Sequence, residues 1–165
     1  MAVVTTKVTA ITNRDSLPKA LSNPFLTKAD IHEAVGTLEA VSGDSIGSKY
    51  IMANVPSNAR VSRMLLSCDA ITTLAADIGI YKSTEDGGDV VDANFFATAQ
   101  VLTSALKNLD VTHLSGVFGV ENVEKQLWEA LGETEDPNIL YDIVLTLTAG
   151  AGAAGTVSFK AQYVV

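Results

Sequence analysis

The stretch from Leu140 to Val165 constrains the fold most. It runs Leu-Tyr-Asp-Ile-Val-Leu-Thr-Leu-Thr, then Ala-Gly-Ala-Gly-Ala-Ala-Gly, then Thr-Val-Ser-Phe-Lys-Ala-Gln-Tyr-Val-Val. Two segments rich in β-branched and aromatic residues flank a loop of small ones, which predicts a β-hairpin. The second strand reaches the last residue, as expected of a strand pinned inside a sheet. Nothing in this stretch carries chemistry.

Strand signals recur upstream at short spacing. His32–Val41 is the first, followed by a turn at Ser42–Gly47 and a second strand over Lys49–Val55. Ala59–Ala70 and Leu74–Lys82 follow, and a further strand is expected at Asp110–Leu114. In Ala59–Ala70, Met64, Leu66, Cys68 and Ala70 share one parity, opposite Val61, Arg63, Leu65, Ser67 and Asp69. Cys68 is therefore expected on a core face. Leu74, Ala76, Ile78 and Ile80 form a similar stripe opposite Asp77 and Tyr81.

Two helices are expected. Val120, Val123, Leu127, Ala130 and Leu131 recur at helical spacing, with Glu121 and Glu124 near the start and Gly132 at the end. A shorter helix is expected near Ala93–Ala99, with Asp92 as its cap. Seven or eight strands with a helical excursion predict a mainly β fold. The expected architecture is an antiparallel β-sandwich, jelly-roll-like, with one or two short helices and an extended N-terminal arm. The domain division is an arm over 1–30, with one short strand near Lys7–Thr12, and a sandwich over 31–165.

A chain of 165 residues buries roughly 70% of its unfolded surface in one core. It contains one cysteine, so no internal disulfide forms, which fits synthesis in a reducing cytosol. Met1–Thr6 carries no signal-peptide pattern and Met1 fits a complete gene product. No apolar run has the length of a membrane span. The net charge is −8. It divides into +2 over residues 1–30 (Lys7, Arg14, Lys19 and Lys28 against Asp15 and Asp30) and −10 over the rest. An acidic body argues against direct nucleic-acid binding. The arm is either a solvated leader or a segment drawn to an acidic surface of another copy. If it docks, Lys7, Arg14 and Lys19 guide it, and Leu17, Leu21, Phe25 and Leu26 carry most of the contact.

Few residues offer chemistry. Gly43-Asp44-Ser45-Ile46-Gly47 matches the G-x-S-x-G nucleophile pattern. That motif needs a strand–turn–helix and an acid–histidine pair downstream. A strand follows here, so a glycine-bounded hairpin turn explains it better than a hydrolase does. His32 and His113, the two histidines, read as surface or hydrogen-bonded side chains rather than a metal pair. Asp86, Asp89, Asp92 and Asn94 are the densest oxygen donors. Their spacing departs from a calcium loop and reads as a polar turn before a helix cap. No cofactor and no catalytic set is expected. Trp128 is either an interface anchor or a boundary residue packed on the core. Phe95 and Phe96 are adjacent, so regular geometry would turn one away from the core, toward a neighbour.

Several segments resemble small head-associated proteins of tailed bacteriophages. They are Val55–Val61, Leu65–Ala70, Ala76–Tyr81, Gly87–Ala97, Ser115–Gly119 and Tyr141–Thr148. The likeness covers most of residues 30–165, less clearly the arm. It resembles capsid decoration or cement proteins. That implies a jelly-roll-like sandwich, made in the host cytoplasm, on the outer surface of an icosahedral capsid. The implied partners are the major capsid protein and further copies of the chain, with neither nucleic acid nor membrane. The alternative is a carbohydrate- or receptor-binding sandwich of a phage appendage. It calls for an exposed aromatic platform, and aromatics are only 6% of the chain.

Overall fold

The structure is a computed structural model that describes residues 5–165, without the side chain of Phe25. The readings of Met1–Val4 and of the Phe25 side chain lie outside the described residues. Two four-stranded antiparallel sheets stack face to face. One has the order β1 (His32–Ala40), β8 (Gly155–Val164), β3 (Arg60–Cys68), β6 (Leu106–Asp110). The other has β2 (Lys49–Pro56), β7 (Leu140–Ala149), β4 (Ala75–Lys82), β5 (Val90–Val101). β1 pairs with β8, β2 with β7, β3 with β6 and β4 with β5. This mirror-symmetric pairing is the jelly-roll arrangement, a long ribbon of nested antiparallel pairs wrapped into two sheets.

The expected C-terminal hairpin is not one. β7 and β8 lie in different sheets, and the Ala-Gly run between them crosses the sandwich. Its residues are wedged between two other corner loops. The Ala151 N–H donates to Asp44 O and Ala151 O accepts from the Gly43 N–H. Gly152 N–H donates to Thr72 O, and the Thr73 hydroxyl to Gly150 O. A Cβ on Gly150 would lie 2.8 Å from Asp44 O. Small residues are thus required by close packing of three corners rather than by a tight turn. The Ser42–Gly47 segment also joins strands of different sheets. Only β4 and β5 form a hairpin of consecutive strands, through a turn at Ser83–Asp89 closed by the Lys82 N–H on Asp89 O.

The inner faces follow the alternation in the sequence. Met64, Leu66 and Cys68 are buried from β3, as are Leu74, Ala76, Ile78 and Ile80 in and before β4. A bulge between Val61 and Arg63 restores Val61 to the core, against its parity. Ala70 lies beyond the strand and is exposed.

The helix expected near Ala93–Ala99 is instead part of β5. A five-residue step along β5, from Asp92 to Ala97, faces the two-residue step from Ile80 to Ile78 of β4. Asp92 accepts the Asn94 N–H within this bulged segment rather than capping a helix. The irregularity breaks strict alternation, so Phe95 and Phe96 are both buried and neither faces a neighbour.

The long helix over Glu121–Leu131 is also absent. A 3₁₀ turn at Val120–Asn122 and a four-residue helix, α3 (Leu127–Ala130), replace it. Its backbone bonds go to the body: the Leu127 N–H donates to Ala59 O and the Trp128 N–H to Ser57 O. Gln126 and Glu129 form a reciprocal capping box at α3. The predicted strand at Asp110–Leu114 lies one element early, as β6 over Leu106–Asp110. In the arm, α1 (Thr9–Asp15) stands where a short strand was expected, and α2 (Pro24–Thr27) follows.

Candidate interaction surface

Residues 111–126 leave β6 and cross the end of the sandwich as a loop pinned from beneath. The Leu114 and Ser115 N–H groups both donate to Phe96 O, and the Phe118 N–H donates to Phe95 O. The Ser115 hydroxyl also donates to Phe95 O. Phe118 inserts against Phe95 and Phe96, with ring centroids 5.3 and 5.4 Å away. His113 stacks on Phe118 at 5.3 Å, and its Nδ1 bonds Phe118 O. The buried Asn122 amide reaches Val117 O. Interlocked aromatic rings and satisfied backbone groups make a firm base.

On that base, Leu114, Val117, Val120 and Val123 all project into solvent. Exposed Glu121, Glu124 and Lys125 lie among them. Sequence reasoning missed this surface because it assigned Val120 and Val123 to the buried stripe of a helix. The available signal was Gly116 and Gly119 bracketing a single Phe118, a composition of loop with one anchor.

The arm residues fall into three groups. Lys7 and Arg14 both pair with Asp15, each at 2.8 Å. Arg14, then Lys7, holds the Asp15 carboxyl below its usual range. Two of the arm's cations are therefore engaged within the arm. Lys19 is exposed and makes no ion pair among the described residues, and Leu17 and Leu21 are 92% and 97% exposed. Leu26, with Asn23, lines a groove of about 220 Å³ against Asn58, Arg60, Glu124 and Glu129 of the body. Trp128, half-buried, borders this region, and its Nε1–H donates to Gln126 Oε1 at 2.7 Å. It is a boundary residue with its polar edge satisfied.

His32, His113, Asp86 and Asp92 have structural partners. Ser45 sits in the crossing turn between β1 and β2, with a strand and not a helix following. His32 stacks on Tyr163 at 5.8 Å. Asp86 receives the Ser83 hydroxyl and Asp92 the Asn94 N–H. Among the described residues no three His, Cys, Asp or Glu side chains are grouped as metal ligands. Cys68 is 7% exposed, its thiol directed at Ser104 O, and burial pushes its pKa up. Among the described residues no helix is long and apolar enough to cross a membrane.

No protein-family model and no curated protein matches the sequence. Solved structures do match in fold. A chain of the capsid asymmetric unit of cyanophage Pam1 aligns with a TM-score of 0.51 at 14% identity. That alignment covers 92% of this chain and 96% of the other. A chain of the capsid of Ralstonia phage GP4 aligns with a TM-score of 0.59 at 15% identity, covering 84% and 86%. The fold of this chain is thus, over most of its length, that of chains found in two phage capsids, the class of assembly that the sequence resembles.

Proposed function

We propose that the chain is a structural virion protein that binds the outer surface of an icosahedral phage capsid and stabilises contacts between neighbouring capsomers. The observation that carries this reading is the likeness, over most of the chain, to chains of two capsid structures. The geometry supports it in two ways. Asp86, Asp92 and His113 are committed to turn and loop contacts, and Ser45 lies in an exposed turn that leads into a strand rather than a helix. The anchored loop presents exposed Leu114, Val117, Val120 and Val123, and the arm presents Leu17 and Leu21, which suits attachment to protein. A decoration protein gains little from one contact and much from many identical ones.

The appendage alternative calls for an aromatic platform. Phe95, Phe96, Phe118, Phe159, Tyr81 and Tyr141 are buried, and Tyr50, Tyr163 and Trp128 are half-buried. Among the described residues no aromatic side chain is fully exposed, so the surface favours protein over sugar.

The test is to add purified protein to capsids that lack it. Saturable binding with an integer number of copies per capsomer or symmetry axis is the expected result. Failure to bind any capsid lattice, together with esterase activity abolished by Ser45→Ala, would overturn the reading.

A further inference from the structure

Two surfaces of this chain are complementary and both stand open. One is the loop Leu114–Glu124, where Leu114, Val117 and Val120 rise from the Phe118 anchor beside Glu121 and Glu124. Over residues 113–136 there are six acidic side chains against Lys125 alone. The other is the arm segment Ser16–Lys28. Asp15 pairs with both Lys7 and Arg14, which leaves that cluster at net +1, while Lys19 and Lys28 carry the positive charge of the segment itself, with Asp30 two residues beyond it. They are interspersed with Leu17 and Leu21, and the segment contains no acidic residue. An apolar, basic strip and an apolar, acidic platform are matched in both respects.

The chain does not satisfy this match internally. Its own Leu26 lines a groove with Glu124, close to the platform in the fold. Even so, Leu17 and Leu21 remain more than nine-tenths exposed and Val120 is 72% exposed. We infer that the loop Leu114–Glu124 of one copy seats the arm segment Ser16–Leu21 of a second copy. Both halves of the contact lie on every chain, so two copies related by a two-fold axis make it twice. Doubling matters because one strip of two leucines is a small contact, and the second forms intramolecularly once the first exists. The Phe118 anchor contributes by holding the platform in shape before binding, which lowers the ordering cost. This contact needs no capsid and stands or falls separately from the proposed function.

The experiment uses the full chain with a photo-reactive amino acid in place of Leu21. Isotopically heavy and light preparations are mixed at roughly 0.1 mM, where a pair with a Kd of about that value is substantially formed. After irradiation, peptides linking position 21 to residues 114–124 should include heavy–light pairs. Val120→Asp and, independently, Leu21→Asp should each weaken association measured by sedimentation about tenfold or more. Neither should change the circular dichroism or the melting temperature, because both side chains are exposed. Higher salt should weaken association only modestly, since apolar contact dominates. The inference is overturned by cross-links confined to one copy or directed to other surfaces. It is equally overturned by a monomer at this concentration, or by association that ignores both substitutions.

Discussion

Gly79 shows how tightly single residues are specified. It lies in β4 under the bulged part of β5, and a Cβ there would stand 2.2 Å from Asp92 O and 2.3 Å from the Ala93 carbonyl carbon. Both are backbone atoms that cannot swing aside. Gly79→Ala is expected to cost about 1–3 kcal/mol in chemical denaturation, by forcing the two strands apart. Asp142 makes the opposite case. It sits on the outer face of β7, and partial burial pushes its carboxyl above the usual range. A carboxyl raised in the folded state binds its proton more tightly there than in the unfolded chain. Its contribution to stability is therefore favourable when protonated and declines as pH rises through the folded value. Asp142→Asn should raise stability at neutral pH and flatten the acid-side dependence, measured by denaturation at a series of pH values. Unchanged stability at neutral pH would show that the carboxylate is solvated after all. Cys68, buried and with a raised pKa, should react slowly with a thiol reagent in the native protein and quickly once unfolded. Rapid native labelling would place it on the wrong face of β3.

Among the elements, the 111–126 loop depends on one side chain. Phe118→Ala removes the ring that packs on Phe95, Phe96 and His113. The expected loss is about 3–5 kcal/mol. Amide exchange should report it locally, with protection lost at Leu114, Ser115 and Phe118, whose N–H groups bond the β5 carbonyls. This element also marks the limit of what the sequence disclosed. Period-two alternation in β3 and β4 identified Met64, Leu66, Ile78 and Ile80 as core, because one buried face enforces that pattern. It did not identify partners. β7 and β8 are consecutive and strand-rich, yet each pairs elsewhere, since a jelly roll joins strands far apart in sequence. Helical spacing at Val120–Leu131 misled for a related reason. The backbone there bonds to Ala59 and Ser57 across the fold, an interaction that local spacing does not encode. In β5, bulging let both Phe95 and Phe96 reach the core, and no alternation rule anticipates the inserted residues. Of the candidate contact residues, the exposure of Leu17 and Leu21 agrees with their non-periodic surroundings. The platform of Leu114, Val117 and Val120 was hidden behind the mistaken helix.

For the whole molecule, we propose a sandwich that folds by itself and an arm that serves attachment. Among the described residues the buried core draws on seven strands, with Leu106 and Leu109 of β6 packed half-buried against it, and takes no fully buried side chain from the arm. A chain beginning near Asp30 should therefore fold with little change in melting temperature and bind capsids more weakly than the full chain. Unfolding on truncation would move the domain boundary into the arm. The proposed function rests on position, with the sandwich on the outside of a capsid shell. Cryo-electron microscopy of particles from a phage whose genome carries this sequence tests it most directly. The account predicts repeating density for the two-sheet sandwich outside the major capsid protein, at symmetry-related sites bridging neighbouring capsomers. Density for the chain only in a tail appendage or inside the shell, or its absence from the particle, would contradict it.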